Sequence, residues 1–328
     1  MARRARGREV NGVVLLDKPG GISSNRALQQ VRRLFDAAKA GHTGALDPLA
    51  TGMLPLCFGE ATKFSQFVLD ADKRYRATAK LGIRTDSSDA DGKVVEEKPV
   101  VGVTAERVRE LLATEFTGQI TQVPSIFSAL KHNGQPLYKL ARQGIEVEVK
   151  SRQVTIHAIE LLDWRGDELD IEVFCSKGTY IRSIVEDLGL MLGCGAHVSA
   201  LRRLDAGPYR EAAMLTFEQL QELAADDAEN SEKGGAFAAL DKVLLPVWSA
   251  VEHLPRVRLD ARQAQSIQNG QTVTGATAVV GTVLLFDQHE EQFFGLGEAS
   301  IDGALTARRL MKTSSEARSA VNVHGGYV

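Results

Sequence analysis

The chain is poor in sulfur and metal-binding chemistry. Cys57, Cys175 and Cys194 are scattered over 328 residues with no CxxC pair. That excludes a disulfide scaffold and a cysteine zinc framework, and it fits a reducing cytoplasm. Seven histidines lie without metal-ligand spacing, and no HExxH occurs. A P-loop and a G-x-S-x-G elbow are missing, which leaves nucleotide hydrolysis and serine hydrolysis without a signature. The glycines of "LGLMLGCGAHV" do not fit a dinucleotide fingerprint. Long apolar runs are missing too. After the basic start "MARRARGREV", the run Gly12–Leu16 breaks at Asp17 and Lys18, so neither a signal peptide nor a membrane span is expected. Net charge is only −3, which excludes nucleic-acid binding by bulk charge but not by a local basic face. One such face is suggested by residues 1–39, with nine Lys or Arg against three acids.

What is present is an ordinary globular composition, 44% hydrophobic and 25% charged, with a length suited to about two domains. "NGVVLLDKPGGISS" reads as a short strand, then a helix capped by Ser23 or Ser24 and running to about Ala40. "EATKFSQFVLDADK" reads as a helix, and "KRYRATAKLGIRT" alternates as a strand does. The polar turn "DSSDADGKVV" resembles a calcium loop read from Ser87, but Ser87 replaces the first acid and Lys98 the last, so calcium is excluded. Thr104 caps a helix through "TAERVRELLATEFTG". Residues 124–150 read as a basic, partly flexible insertion. Strands "RQVTIHAIELLDWRG" and "ELDIEVFCSKG" lead to the helix of "TYIRSIVEDLGLMLG". Its buried stripe is Ile181, Ile184, Val185 and Leu188. Arg182 lies off that stripe at the helix start, where a cation does not complement the dipole and needs another partner. "ELAADDAENSEKGGA" is acidic and reads as mobile. Short strands from 251 to 313 suggest a small β-barrel-like domain, and 314–328 a disordered tail.

One turn holds the candidate chemistry. "GHTGALDPLATGMLPLCFGEATK", residues 41–63, sets Asp47 among glycines, threonines and prolines. Pro48 and Gly44 shape the turn so that a carboxylate is presented with little entropy left to lose. Isolated tyrosines offer faces for a flat ligand, and an arginine offers a cation for the acid.

Five stretches in order, "LDKPGGISS", the Asp47 turn, "YRATAKLGIRTDSSDADG", "QVPSIFSALKHNGQPLYKLARQG" and "CSKGTYIRSIVEDLG", resemble the TruB family of bacterial tRNA pseudouridine-55 synthases. Together they span Leu15 to Gly189. The resemblance implies an α+β (mixed α/β) catalytic domain at 11–250 around a largely antiparallel sheet. Before it lies a basic arm at 1–10, and after it a PUA-like RNA-binding domain at 251–313. It implies isomerisation of a uridine in the tRNA T-loop with no cofactor or metal, on a flipped base. The essential group would be Asp47, whether it attacks the sugar, attacks the base or removes the C2′ proton. Arg182 is similar to the arginine that pairs with it. Tyr75 is similar to the tyrosine that stacks on the target base, with its phenol where the C5 proton leaves. Tyr180 and Leu201 resemble pocket walls, and His42 a residue that fills the space of the flipped nucleotide. Lys18 and Pro19 suit a structural and phosphate-facing role. Lys131 and Arg142 suit an insertion that clamps the T-loop, with the tRNA elbow as partner. Asp89 and Asp91 are expected to order their turn. Ser125-Ile126 departs from the family, where a second proline is expected after Pro124.

Two other classes compete. A noncatalytic RNA-binding protein or tRNA-folding chaperone could use the same pocket. A carboxylate hydrolase would need two carboxylates, and this motif set supplies one. A monomer in the cytoplasm is expected.

Overall fold

The computed structural model describes residues 7–128, 130–145, 147–229 and 237–312. The chain opens with β1 (Gly12–Lys18), α1 (Ser24–Leu34), β2 (Ala40–His42), β3 (Thr51–Phe58), α2 (Ser65–Asp70) and β4 (Lys73–Leu81). A small hairpin, β5 (Ile83–Thr85) and β6 (Val94–Glu97), precedes α3 (Ala105–Glu115) and β7 (Gly118–Gln122). Residues 124–150 hold a second hairpin, β8 (Lys131–His132) with β9 (Gln135–Pro136), and α4 (Leu137–Arg142). Then come β10 (Arg152–Arg165), β11 (Glu168–Cys175), α5 (Ile181–Met191), β12 (Ala196–Ala206), α6 (Phe217–Glu229) and α7 (Ala238–Lys242). The chain ends in β13 (Arg256–Leu259), α8 (Ala261–Gln268), β14 (Val273–Thr274), β15 (Gly281–Asp287), β16 (Phe293–Ala299) and β17 (Ala304–Leu310).

An eight-stranded sheet runs β1-β3-β12-β4-β11-β10-β7, with β2 paired to β3. Its pairs are antiparallel except β12 with β3, which meet in parallel over only Arg202–Thr51 and Arg203–Gly52. That short junction divides the sheet into two arms with separate cores. One core gathers β4, β10, β11, α3 and α5, including Ile171, Val173, Ile184 and Leu188. The other gathers β1, α1, β3 and α6, including Leu16, Val31, Phe58 and Leu220. Tyr75 and Leu201, both half-buried, pack against both cores. Gly52 makes the junction possible. Its φ is +93°, and a Cβ there would meet the Arg203 carbonyl oxygen at 2.2 Å, so no side chain fits.

Most of the expected elements form where their patterns place them. Strand β11 buries Leu169, Ile171, Val173 and Cys175 on one face, the alternation a half-buried strand requires. Ser23 caps α1 by accepting from the Arg26 backbone amide, while Ser24 turns inward. Helix α1 stops at Leu34 rather than Ala40. Asp36 turns left-handed (φ +44°), and Ala38 donates to the Arg8 carbonyl at 2.9 Å instead of continuing the helix.

Several other expectations need correction. The acidic stretch before 230 is not mobile chain but the end of α6. Asp227 there is buried and accepts from the amides of Ala239 and Leu240 at 2.7 and 3.1 Å, so a carboxylate satisfies the exposed N–H groups of α7. In the basic N-terminal region, residues 1–6 lie outside the described residues, and Arg8 is not presented to phosphate. It pairs with Asp241 at 2.6 Å and stacks over the Phe237 ring. Arg32 likewise donates to the carbonyls of Ala37 and Ala38.

A five-stranded sheet, β13-β15-β16-β17-β14, closes the chain around α8. The strand pattern left this helix unassigned. Its signal is Asp260 three residues before Gln263, a reciprocal capping box. The tail expected to be disordered lies outside the described residues. Among the described residues no helix is long and apolar enough to cross a membrane.

Candidate active site

Asp47 sits in the turn between β2 and β3, where the sheet divides. Three side chains hold the turn's backbone. Ser24, the buried first residue of α1, accepts from the Leu46 amide at 2.7 Å and donates to its carbonyl at 3.0 Å. Lys18, at the end of β1, donates to the carbonyls of Pro19 and Ile22 at 2.8 Å each and of Pro48 at 3.4 Å. Arg203, on β12, donates to the Gly44 carbonyl at 3.1 Å and the Met53 carbonyl at 2.6 Å. Gly44 has φ +79°, and a Cβ there would come within 3.2 Å of the Arg203 guanidinium. The turn is therefore fixed from three sides before any substrate arrives.

The carboxylate itself faces the cleft. Its Oδ2 lies 3.0 Å from Nη2 of Arg182, and 42% of the Asp47 side chain is exposed, against 5% for Arg182. Arg182 is the cation beneath an accessible anion. Its Nη1 also binds Asp89 Oδ2 at 3.1 Å and the Ser87 carbonyl at 2.9 Å, and Nη2 donates to the Phe127 carbonyl at 3.3 Å. These partners explain a buried arginine at the start of α5. They outweigh the unfavourable helix dipole, because charge-assisted hydrogen bonds are the stronger interaction.

Asp89 has a larger part than its sequence setting suggests. It is 5% exposed. Oδ1 accepts from the Ser87 hydroxyl at 2.6 Å and the Asp91 amide, which orders the turn as expected. Oδ2 is the second carboxylate oxygen on Arg182. Burial pushes the Asp47 carboxyl pKa upward, Arg182 and Lys18 oppose that, and Asp89 adds to it.

The other expected residues are distributed as follows. Tyr75 lies on β4 directly across from Arg203 of β12. Burial raises its phenol pKa, and the neighbouring Arg203 counteracts. Leu201, two residues before Arg203, lies beside it on β12. Tyr180 precedes α5. Its backbone N–H and C=O both bond the Gln122 side chain, at 3.0 and 3.2 Å, and the Arg152 guanidinium stands 5.5 Å over its ring. His42 ends β2 with Nδ1 buried and, among the described residues, without a hydrogen-bond partner. Burial, then Arg203, lowers its pKa.

Lys18 requires correction. It is fully buried, and its ammonium is occupied by three backbone carbonyls, so it is neither solvated nor turned toward phosphate. Burial pulls its pKa down to about 8. Lys131 belongs to β8 and Arg142 ends α4; their side chains lie outside what the structure describes.

Sequence reading missed Ser24, Asp89 and Arg203. Ser24 reads as a cap, Asp89 as a turn residue, and Arg203 has no assigned role. Only the pairing of distant segments reveals their partners. Among the described residues no group of three or more His, Cys, Asp or Glu side chains gathers as a metal site.

Comparison with known proteins agrees along nearly the whole chain. Residues 32–181 match the TruB family pseudouridylate synthase N-terminal domain. Residues 182–252 match the tRNA pseudouridylate synthase B C-terminal domain, and residues 255–311 the C-terminal domain of pseudouridine synthase II TruB. The tRNA pseudouridine synthase B of Vibrio campbellii is 54% identical over 312 residues, covering 95% of this chain and 98% of its own. That of Tolumonas auensis is 52% identical, covering 96% of each. A chain in the crystal structure of a Cbf5-Nop10-Gar1 complex is 27% identical with a TM-score of 0.68, covering 91% of this chain and 84% of that one. With the fold, the Asp47 turn and these matches together, the chain belongs to the TruB family of pseudouridylate synthases.

Proposed function

We propose that this chain, a tRNA pseudouridine synthase and thus an isomerase, acts on the uridine at position 55 in the T-loop of tRNA. Asp47 is its essential group, and the target base is everted into the cleft. The observation that carries this reading is the half-exposed Asp47 carboxylate held 3.0 Å from a buried Arg182. Such an anion meets a sugar or base without reorganising its surroundings, which is the main source of catalytic advantage at a charged site.

The reaction breaks N1–C1′, turns the uracil and forms C5–C1′. N1 gains a proton and C5 loses one, so the atoms balance without a co-reactant. Asp47 acts on the sugar, on the base or on the C2′ proton. Eversion of a stacked base costs a few kcal/mol. Stacking on Tyr75 offsets about 1–3 kcal/mol of that, with Tyr180 and Leu201 as walls. His42, whose buried Nδ1 has no partner among the described residues, fills the vacated place. Lys131 and Arg142, from the segment 124–150, close over the loop, and residues 251–313 extend the contact along the tRNA elbow. The protein acts as a monomer in the cytoplasm, where its three free thiols stay reduced.

The test is an unmodified tRNA transcript incubated with purified protein, followed by mapping of pseudouridine. A single product site at position 55 supports the proposal. Product elsewhere only, or none, rejects it.

A further inference from the structure

Arg203 has the largest side chain among those fully buried, at 1% exposure. Among the described residues no carboxylate pairs with it. A buried guanidinium without a counter-ion is costly, and its hydrogen bonds show where it is held. It donates to Met53 on β3 and to Gly44 in the turn that carries Asp47. It also stands directly across from Tyr75 on β4, near enough to act on the phenol. One planar group thus joins both arms of the sheet at the parallel junction, and it sets the Asp47 turn beside Tyr75.

We propose that Arg203 is a positioning residue for the last step of the reaction, holding the Tyr75 oxygen beside C5. The inference rests on the reading of Tyr75 given under the proposed function. Once C5–C1′ has formed, C5 still carries its hydrogen. The Tyr75 phenolate takes that proton and becomes phenol. The C–H electron pair becomes the C5–C6 double bond, the C6–N1 π pair moves onto N1, and N1 takes a proton from water. The phenol is ordinarily neutral and burial disfavours its anion, so a cation fixed against the oxygen is what the step requires. A lysine at 203 would keep the charge but not the planar fork that reaches three elements.

The experiment uses Arg203→Gln and Arg203→Lys on RNA carrying hydrogen or deuterium at C5 of the target uridine. Product formation by Arg203→Gln slows by about 10²-fold, with a deuterium isotope effect larger than that of the wild type, while RNA affinity is unchanged. Arg203→Lys recovers part of the rate. An equal slowdown with either isotope, or no slowdown, overturns the proposal. Should neither variant fold, the Nη–H resonances of Arg203 are compared between wild type and Tyr75→Phe, since Nε–H is held by Met53. A shift supports the contact, and coincident resonances overturn it. Failure of the wild type to make product counts against the functional reading, whereas an active wild type with isotope-insensitive variants counts against Arg203 alone.

Discussion

Arg182 is buried and Asp47 only half-buried, although their side chains lie 3.0 Å apart. The pair is a half-exposed anion mounted on an interior cation. Asp89, on the far side of the same guanidinium, shares that cation from a buried position. Two carboxylates on one arginine thus have separate roles. Asp89 locks the cation, and Asp47 meets the substrate.

Removing the charge of Asp47 separates chemistry from stability. Its folded pKa lies above its unfolded value because burial disfavours the anion. Ionised Asp47 therefore costs the folded state stability at neutral pH, and the cost is relieved as pH falls through the folded pKa. Asp47→Asn is expected to fold with equal or greater stability than wild type at pH 7, with the advantage shrinking in acid. Thermal melts across pH check this, and a large loss of stability at pH 7 contradicts it.

Arg182 and Asp89 move the acid limb of the pH–rate profile in opposite directions. Arg182 lowers the Asp47 pKa and Asp89 raises it. Residual turnover of Arg182→Met should fall off at higher pH than wild type, and that of Asp89→Asn at lower pH. Arg182→Met also leaves Asp89 buried and unpaired, a change that costs about 3–5 kcal/mol. Limbs that shift together rather than apart would falsify this assignment.

Lys18 is predicted to act through the turn and not through phosphate. Lys18→Met leaves three carbonyls without their donor, at about 1–3 kcal/mol for an unsatisfied buried group. The salt dependence of RNA binding should keep its slope, because a lost phosphate contact would lower it by about 0.9. The folded pKa of Lys18 is about 8 and its ordinary value 10.5. Between those values the unfolded chain binds more protons, so wild type gains stability over Lys18→Met as pH rises through that window. Denaturant melts at pH 7 and pH 10 measure the difference.

Tyr75 divides into a ring and an oxygen. Tyr75→Leu should weaken RNA binding by about 1–3 kcal/mol through lost stacking. Tyr75→Phe should keep the affinity and lose turnover. Equal affinities for both variants, measured by filter binding, would remove the ring from the base contact.

Much of this arrangement was legible in the residues. The alternation in Glu168–Cys175 and the stripe Ile181, Ile184, Val185, Leu188 each fix one face by local geometry. Arg182 stood out because its helix position is electrostatically wrong for it. Asp47 stood out because prolines and glycines shape its turn. Asp89 and Arg203 were illegible for the opposite reason. Their partners lie 93 residues away at Arg182, and 150 and 159 residues away at Met53 and Gly44. No period or spacing along the chain encodes the junction of β3 with β12 that brings Arg203 to Met53 and Gly44, or the packing of α5 that brings Arg182 to Asp89. Helix α6 was hidden by its own composition, since acidic residues cover a helix whose Leu220 is buried.

The most direct measurement is a time course of pseudouridine formation in an unmodified T-stem-loop, run in parallel with wild type and Asp47→Asn, with affinity for the same RNA measured on both. The expected result is complete conversion of one uridine by wild type, none by Asp47→Asn, and matching affinities. Turnover by Asp47→Asn at the wild-type rate would contradict an essential carboxylate at this turn.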